Sequence, residues 1–186
     1  MRLILIRHGN TAANERHLYC GATDLPLSES GRSALAARRA AVPDARGCRV
    51  LTSGMRRCEE TLAILFGEVP HEADAAFREM DFGAFEMRSY EEMKNDPDYI
   101  AWISGDNEAN ETPGGESGQI MTARVTAGLL RLIADGRDTL LVTHGGVIAA
   151  IMAYLFSAEG KNRYEWQPRP GGGYVVEIEE KKYAAF

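Results

Sequence analysis

Cysteine is scarce in this 186-residue chain, which has three: Cys20, Cys48 and Cys58. An odd count without a C-x-x-C pair excludes the disulfide framework of small secreted domains and suggests no metal quartet. A reduced, cytoplasmic compartment fits that usage best. Long apolar runs are also missing. The opening run Leu3-Ile4-Leu5-Ile6 has four residues, shorter than a signal-peptide core, and nothing later approaches a membrane span. No targeting segment and no membrane partner are therefore expected. Positive charge is in deficit, with 21 Lys and Arg against 27 Asp and Glu, a net charge of −6. Such a balance gives no general attraction for nucleic acid, so any anion site must be a local basic focus. Internal repeats, low-complexity tracts and a long linker are absent too.

What is there is an ordinary globular composition, 45% hydrophobic and 26% charged, in a length that suits one domain over 1–186 with a full core. The run 3–6 is continuously apolar and reads as a strand buried on both faces. It delivers Arg7-His8-Gly9-Asn10-Thr11 to a loop at its carboxyl end, where open α/β sheets bind ligands. The pattern predicts a nucleophile at His8 and an anion clamp at Arg7.

Residues 12–27 are polar and turn-rich and read as a loop. Ser28 can cap a helix that runs to about 42, and 49–53 reads as a short strand ending in small polar residues. A helix over 54–66 would bury Met55, Leu62, Leu65 and Phe66, and 69–76 leads on as a short strand. Asp96-Pro97 is a cap followed by proline at the first helical position, and Tyr99, Trp102 and Ile103 give that helix one apolar side. After an acidic loop at 106–116, Met121, Val125, Leu129 and Leu132 mark a helix over 117–134. A second apolar strand, 139–143, ends at His144-Gly145-Gly146 and feeds a helix over 147–156. The tail reads as a hairpin, with a strand near 164–166, a turn at 170–173 and a strand over 174–178. Strands alternating with helices predict a three-layer α/β/α sandwich with a mainly parallel sheet and a small helical lid insertion at about 85–115.

Two apolar strands each end in histidine followed by glycine, and glycine there lets the backbone N–H approach a ligand. A histidine that closes a buried strand is more often a satisfied structural residue. What raises His8 and His144 above that reading is their repetition and the motif around them. Arg7-His8-Gly9-Asn10-Thr11, with Asn14, resembles the R-H-G-x-T-x-x-N signature of the histidine phosphatase superfamily. Ser53-Gly54-Met55-Arg56-Arg57-Cys58-Glu59-Glu60-Thr61 resembles that family's S-P-L-x-R-A-x-x-T segment, and Arg78-Glu79-Met80-Asp81-Phe82-Gly83 its glutamate segment. Pro113-Gly114-Gly115-Glu116-Ser117 and Val142-Thr143-His144-Gly145-Gly146 follow in the family's order.

The resemblance implies a phosphoglycerate mutase-like fold and a two-step phosphoryl transfer without a metal or organic cofactor. His8 would attack phosphorus and form a phosphohistidine that water hydrolyses. Arg7, Arg57 and His144 would neutralise the phosphoryl oxygens, with Asn14 and the N–H groups of Gly21 and Gly145 as further donors. Glu79 would protonate the leaving oxygen and then take a proton from water. Three letters depart from the pattern: Asn10 for glutamate or glutamine, Gly54 for proline and Cys58 for alanine. His17 and His71 read as surface residues, Cys20 as packing, Arg56 as a solvated neighbour of Arg57, and the Tyr99/Trp102/Ile103 stripe as lid packing rather than a substrate platform. Glu116 could bond to the phosphate loop or start the next helix.

The implied partner is a small-molecule phosphate monoester. Between Met80 and Ile120 only Arg88 and Lys94 are basic, against a larger number of carboxylates that include Asp106, Glu108, Glu111 and Glu116. An acidic mouth disfavours small, highly anionic substrates. The stretch from Phe77 to Arg88, with Tyr99 and Trp102, is similar to the lid of alpha-ribazole phosphatases of cobalamin assembly, which implies a nucleotide-like monophosphate. Two other classes stay open: a cofactor-dependent phosphoglycerate mutase, and a phosphate-binding protein on this fold without catalysis.

Overall fold

The computed structural model describes residues 1–106 and 108–186. Its strands are β1 (Arg2–Arg7), β2 (Arg49–Thr52), β3 (Glu72–Ala73), β4 (Thr139–Thr143), β5 (Gly173–Glu177) and β6 (Lys182–Ala185). They form a six-stranded sheet in the order β3-β2-β4-β1-β5-β6. The first four are parallel to one another, and β5 and β6 close the sheet antiparallel beside β1. The helices are α1 (Ala12–Glu15), α2 (Glu29–Arg38), α3 (Arg56–Phe66), α4 (Tyr90–Met93), α5 (Pro97–Ser104), α6 (Gly118–Asp135) and α7 (Gly145–Leu155).

The alternation of side chains along a strand explains why β1 is apolar throughout. Leu3 and Leu5 join one cluster with Leu51, Leu141, Val125 and Leu129 of α6 and Ile148 of α7. Ile4 and Ile6 point the other way, to Leu140, Val142, Leu35 of α2 and Leu62 and Leu65 of α3. Helices therefore cover both faces, and the chain is a three-layer α/β/α sandwich. Each fully buried aliphatic side chain in β1 contributes about 1.5–3 kcal/mol, so a polar residue there would break the sheet's centre.

Local signals set the helix ends. The side chain of Ser28 accepts the N–H of Gly31, Ser117 that of Ile120 and Asp96 that of Asp98. Gly136, at φ 71°, ends α6. No helix of the described residues is long and apolar enough to cross a membrane.

Three stretches differ from the sequence reading. The expected loop at 12–27 begins with α1, because Thr11 and Asn14 form a reciprocal capping box. The helix after Ser28 stops at Arg38 and passes into a 3₁₀ turn, Arg39–Ala41. Residues 164–166 lie in a 3₁₀ turn, Arg163–Trp166, and not in a strand. Trp166 is buried there against Phe156, Tyr174 and Tyr183, which takes it out of the sheet plane. The closing hairpin is β5 with β6.

The segment 85–115 carries α4 and α5 and packs through aromatic rings. Tyr19, Phe82, Phe85, Tyr99 and Trp102 stack edge to face or tilted, with centroids 5.2–6.4 Å apart. The Tyr19 and Tyr99 hydroxyls are 2.7 Å apart. Ile103 is the exposed member of its stripe.

Candidate active site

Neighbouring strands β2, β4 and β1 end together, and each ends in a polar residue. Ser53 follows β2, His144 follows β4, and Arg7-His8 closes β1. The N–H of His8 donates to the Thr143 carbonyl at 2.9 Å, so the loop leaves β1 in register with β4. Gly9 N–H donates to Thr61 Oγ1 at 3.1 Å, and Thr61 donates to the Arg57 carbonyl at 2.7 Å, which ties the loop to α3.

A cavity of about 460 Å³ opens above these ends, lined by Arg7, His8, Asn14, Glu79 and Gly145 among others. His8 is only 6% exposed. Its Nδ1 stands 2.7 Å from the Gly9 carbonyl. A carbonyl only accepts, so Nδ1 carries the proton and Nε2 keeps its lone pair, with no partner among the described residues. Burial first, and then the charge of Arg57, push the His8 imidazole down to about 3. It is a neutral base at ordinary pH.

Arg7 donates through Nη1 to the Pro168 carbonyl at 2.9 Å, while its buried Nε has no partner. A Cβ on Gly145 would lie 3.1 Å from the Arg7 guanidinium carbon, so the glycine lets the cation lie flat on the start of α7. The first N–H groups of a helix lack intrahelical partners and carry the positive end of its dipole, which favours an anion at this point. Asn14 Oδ1 accepts from both the N–H and the hydroxyl of Thr11 at 3.0 Å, so the NH₂ of its side chain is the free end. Glu79 Oε2 accepts the N–H of Gly146 at 3.0 Å, and Oε1 that of Met80 at 3.1 Å.

Arg57 and His144 form the layer behind. Arg57, 1% exposed, donates through Nε to His144 Nδ1 at 3.3 Å, through Nη1 to the Thr23 carbonyl at 2.9 Å and through Nη2 to the Gly21 carbonyl at 2.7 Å. Because Nδ1 of His144 accepts, its Nε2 holds the proton and donates to Ser53 Oγ at 2.8 Å. The two histidine rings meet edge to face, 5.1 Å between centroids. Burial and Arg57 hold His144 well below its ordinary value.

Two expected roles therefore change. His144 was expected to act as a cation against the phosphoryl oxygens, but here it is neutral and both its nitrogens are engaged. Gly21 was expected to offer its N–H, which instead donates to Glu86 Oε1 at 2.8 Å; it is the carbonyl of Gly21 that reaches the site, through Arg57.

The remaining residues fall into place. Cys58 Sγ lies 3.7 Å from His144 Nε2, and burial pushes its thiol up to about 12. Cys20 lies on the cavity wall with its thiol raised by burial. Arg56 pairs with Glu60, and His71 with Glu59. Glu116 takes neither expected role: it pairs with Arg124 and accepts the N–H of Asp81 at 3.0 Å. Gly54 stands at φ 75°, which proline's ring forbids, so that turn is built differently from the S-P-L pattern. The expected acidic mouth is smaller than the carboxylate count suggested. Of Asp106, Glu108, Glu111 and Glu116 only Glu108 lines the cavity, and Arg163, outside the counted segment, pairs with it at 2.6 Å. The sequence pattern does not single out Ser53, Thr61, Glu86 or Arg124, although Ser53 and Thr61 open and close the quoted Ser53-to-Thr61 motif.

The chain matches the histidine phosphatase superfamily (branch 1) over residues 3–185. It belongs to that family. Its buried His/Arg arrangement is the histidine phosphatase type of catalytic site. The adenosylcobalamin/alpha-ribazole phosphatase of Salmonella typhimurium is 31% identical over 184 residues, covering 96% of this chain and 91% of that one. A 2,3-bisphosphoglycerate-dependent phosphoglycerate mutase of Methylobacterium radiotolerans is 31% identical over 167 residues, covering 82% and 78%. The crystal structure of the alpha-ribazole phosphatase from Shigella flexneri superposes with a TM-score of 0.86 at 29% identity, covering 100% of this chain and 95% of that one.

Proposed function

We propose that this histidine phosphatase is a metal-independent phosphomonoesterase that works through a phosphohistidine on His8, acting on a small organic phosphate. The observation that carries the reading is His8 itself, neutral, with Nδ1 spent on the Gly9 carbonyl and Nε2 unpartnered, beside the unpartnered Nε of Arg7.

In the first step Nε2 of His8 attacks phosphorus, the bond to the leaving oxygen breaks, and Glu79 gives that oxygen a proton. In the second, water attacks the phosphohistidine, Glu79 takes its proton, the P–N bond breaks and inorganic phosphate leaves. Arg7, the terminal nitrogens of Arg57, the Asn14 amide and the start of α7 neutralise the phosphoryl oxygens, as a metal does elsewhere. His144 serves by holding Arg57. The segment 85–115 acts as a lid whose Trp102 and Ile103, with Phe82 just ahead of it, face the leaving group. An aromatic wall and a mouth neutralised by Glu108 and Arg163 suit alpha-ribazole 5'-phosphate better than a phosphoglycerate. The mutase reading is supported by the 31% identical relative, but it needs free cations on the cavity wall, and Arg163 is already paired.

The test is turnover of an aryl phosphate with and without chelator, followed by a monoester panel that includes alpha-ribazole phosphate, phosphoglycerates and nucleotide monophosphates. Chelator-insensitive release lost in His8→Ala, with ³²P trapped on His8, supports the reading. Phosphoglycerate interconversion that outpaces phosphate release would establish the mutase, and no turnover on any monoester would leave a binding protein.

A further inference from the structure

Glu86 takes no part in the chemistry above, yet its carboxylate has one of the fullest sets of partners in the structure. Oε1 accepts the N–H groups of Gly21 at 2.8 Å, Ala22 at 2.9 Å and Phe82 at 3.1 Å. Oε2 accepts the N–H of Thr23 at 3.1 Å and its hydroxyl at 2.6 Å. Residues 21–23 belong to no helix or strand, so their N–H groups have no ladder to join. One carboxylate satisfies all of them. The same short loop turns its carbonyls the other way: those of Gly21 and Thr23 receive Nη2 and Nη1 of Arg57.

We infer that Glu86 is a positioning residue for Arg57, acting through the peptide groups of residues 21–23. The loop lies between an anion on its N–H side and a cation on its carbonyl side. Each peptide dipole is aligned by both, and hydrogen bonds in such a chain strengthen one another. The guanidinium is gripped at both terminal nitrogens, which leaves one N–H on each for a phosphoryl oxygen. Because Glu86 also accepts the N–H of Phe82, three residues beyond Glu79, it sets the acid/base segment and the phosphate clamp against one anchor. A residue that only filled space would not need both oxygens engaged on one loop. The inference rests on the reading that Arg57 binds the phosphoryl group.

The test is Glu86→Gln, which keeps size but turns an acceptor into an NH₂ facing N–H donors. The first readout is independent of turnover: water exchange of the Arg57 Nε–H proton in ¹⁵N-labelled protein, assigned by its loss in Arg57→Lys. We expect that proton to exchange roughly tenfold faster in E86Q, and kcat/KM for an aryl phosphate to fall roughly 10- to 100-fold, as misplacement of a binding group does. In an R57K background, where the two-nitrogen grip is already gone, the same substitution should cost about twofold or less. Thr23→Val, which deletes one donor to Glu86, should move both readouts the same way by less, and carries the test if E86Q does not fold. Unchanged Arg57 exchange in the folded variant, or an equal loss with and without the guanidinium, would overturn the inference. If R57K matches the wild type in turnover, it is the phosphate-clamp reading that fails, while the exchange measurement still decides what Glu86 does.

Discussion

The N–H of Gly146 donates to Oε2 of Glu79 at 3.0 Å, so the carboxylate is moored to the first turn of α7, two residues past His144. A Cβ at Gly146 would stand 2.4 Å from Glu79 Oε1. The obstruction is the far end of a flexible side chain and not backbone, so Gly146→Ala should displace Glu79 without unfolding the protein. We expect kcat to fall roughly 10- to 100-fold while the thermal midpoint moves by a few degrees at most. Steady-state kinetics beside a thermal melt check this, and wild-type kcat would mean that Glu79 does not act from this position.

Arg124 holds the same segment from the other side. Its Nη1 donates to the carbonyls of Ala76 at 3.0 Å and Arg78 at 2.9 Å, and it forks onto Glu116 through Nε and Nη2 at 3.0 and 2.7 Å. Glu116 in turn accepts the Asp81 N–H. Arg124→Met should cost about 1–3 kcal/mol of stability for the acceptors left unpaired, with a larger proportional loss in kcat than in KM because Glu79 loses its backbone support. Arg124→Lys should restore the charge opposite Glu116 but not the fork. Denaturant unfolding and kinetics of the two variants separate these effects, and equal activity in all three proteins would rule out the clamp.

Much of this was legible in the sequence because short-range chemistry decided it. The apolar run of β1, the caps at Ser28 and Asp96 and the histidine–glycine pairs each depend on neighbours a few residues away. The tail was misread because Trp166 chooses between strand and 3₁₀ turn by its burial against Phe156 and Tyr183, contacts that no local window contains. Glu86 looked like one more carboxylate in an acidic segment. Its meaning comes from a loop more than sixty residues away, as the span to Gly21 shows. His144 was recognisable, but its protonation was not, since that depends on Arg57 and Ser53 converging on the ring from α3 and β2.

Burial of the two site histidines gives stability a definite pH dependence. In the folded protein His8 stays neutral down to about 3, and His144 is held well below the ordinary value of 6.5. Unfolded, both take up a proton near 6.5. Between those values the unfolded chain binds more protons, so stability is lost as pH falls below about 6.5, by at most about 1.4 kcal/mol per pH unit for each group. His71 acts in the opposite sense: its hydrogen bonds to the Val69 carbonyl and Glu59 raise it, so its smaller contribution is present at low pH and lost as pH rises. Denaturant unfolding from pH 7.5 to 5 should show the acid loss, and His8→Gln should flatten the slope by about one proton. Ring proton signals of His8 should not titrate above pH 5 and those of His144 should titrate well below 6.5, and a midpoint near 6.5 for either would contradict the buried, neutral site.

Arg163 Nη1 lies 2.6 and 2.8 Å from the two carboxylate oxygens of Glu108, where both side chains reach the cavity wall. Arg7 is the other arginine on that wall, so Arg163 is the group available to meet a second negative charge on a substrate, and Glu108 cancels it. Glu108→Gln removes the counter-charge and keeps the shape. We expect kcat/KM for a phosphoglycerate to rise relative to a neutral aryl phosphate by up to roughly fivefold, the factor that corresponds to the 0.2–1 kcal/mol of a solvent-exposed ion pair. The gain should shrink in high salt, which screens exposed charges. Arg163→Met alone should leave the aryl phosphate nearly unaffected, and combined with E108Q it should abolish the gain. If E108Q raises both substrates equally, the pair governs access to the cavity and not the choice of substrate, and the paired mouth is no argument for a weakly charged leaving group.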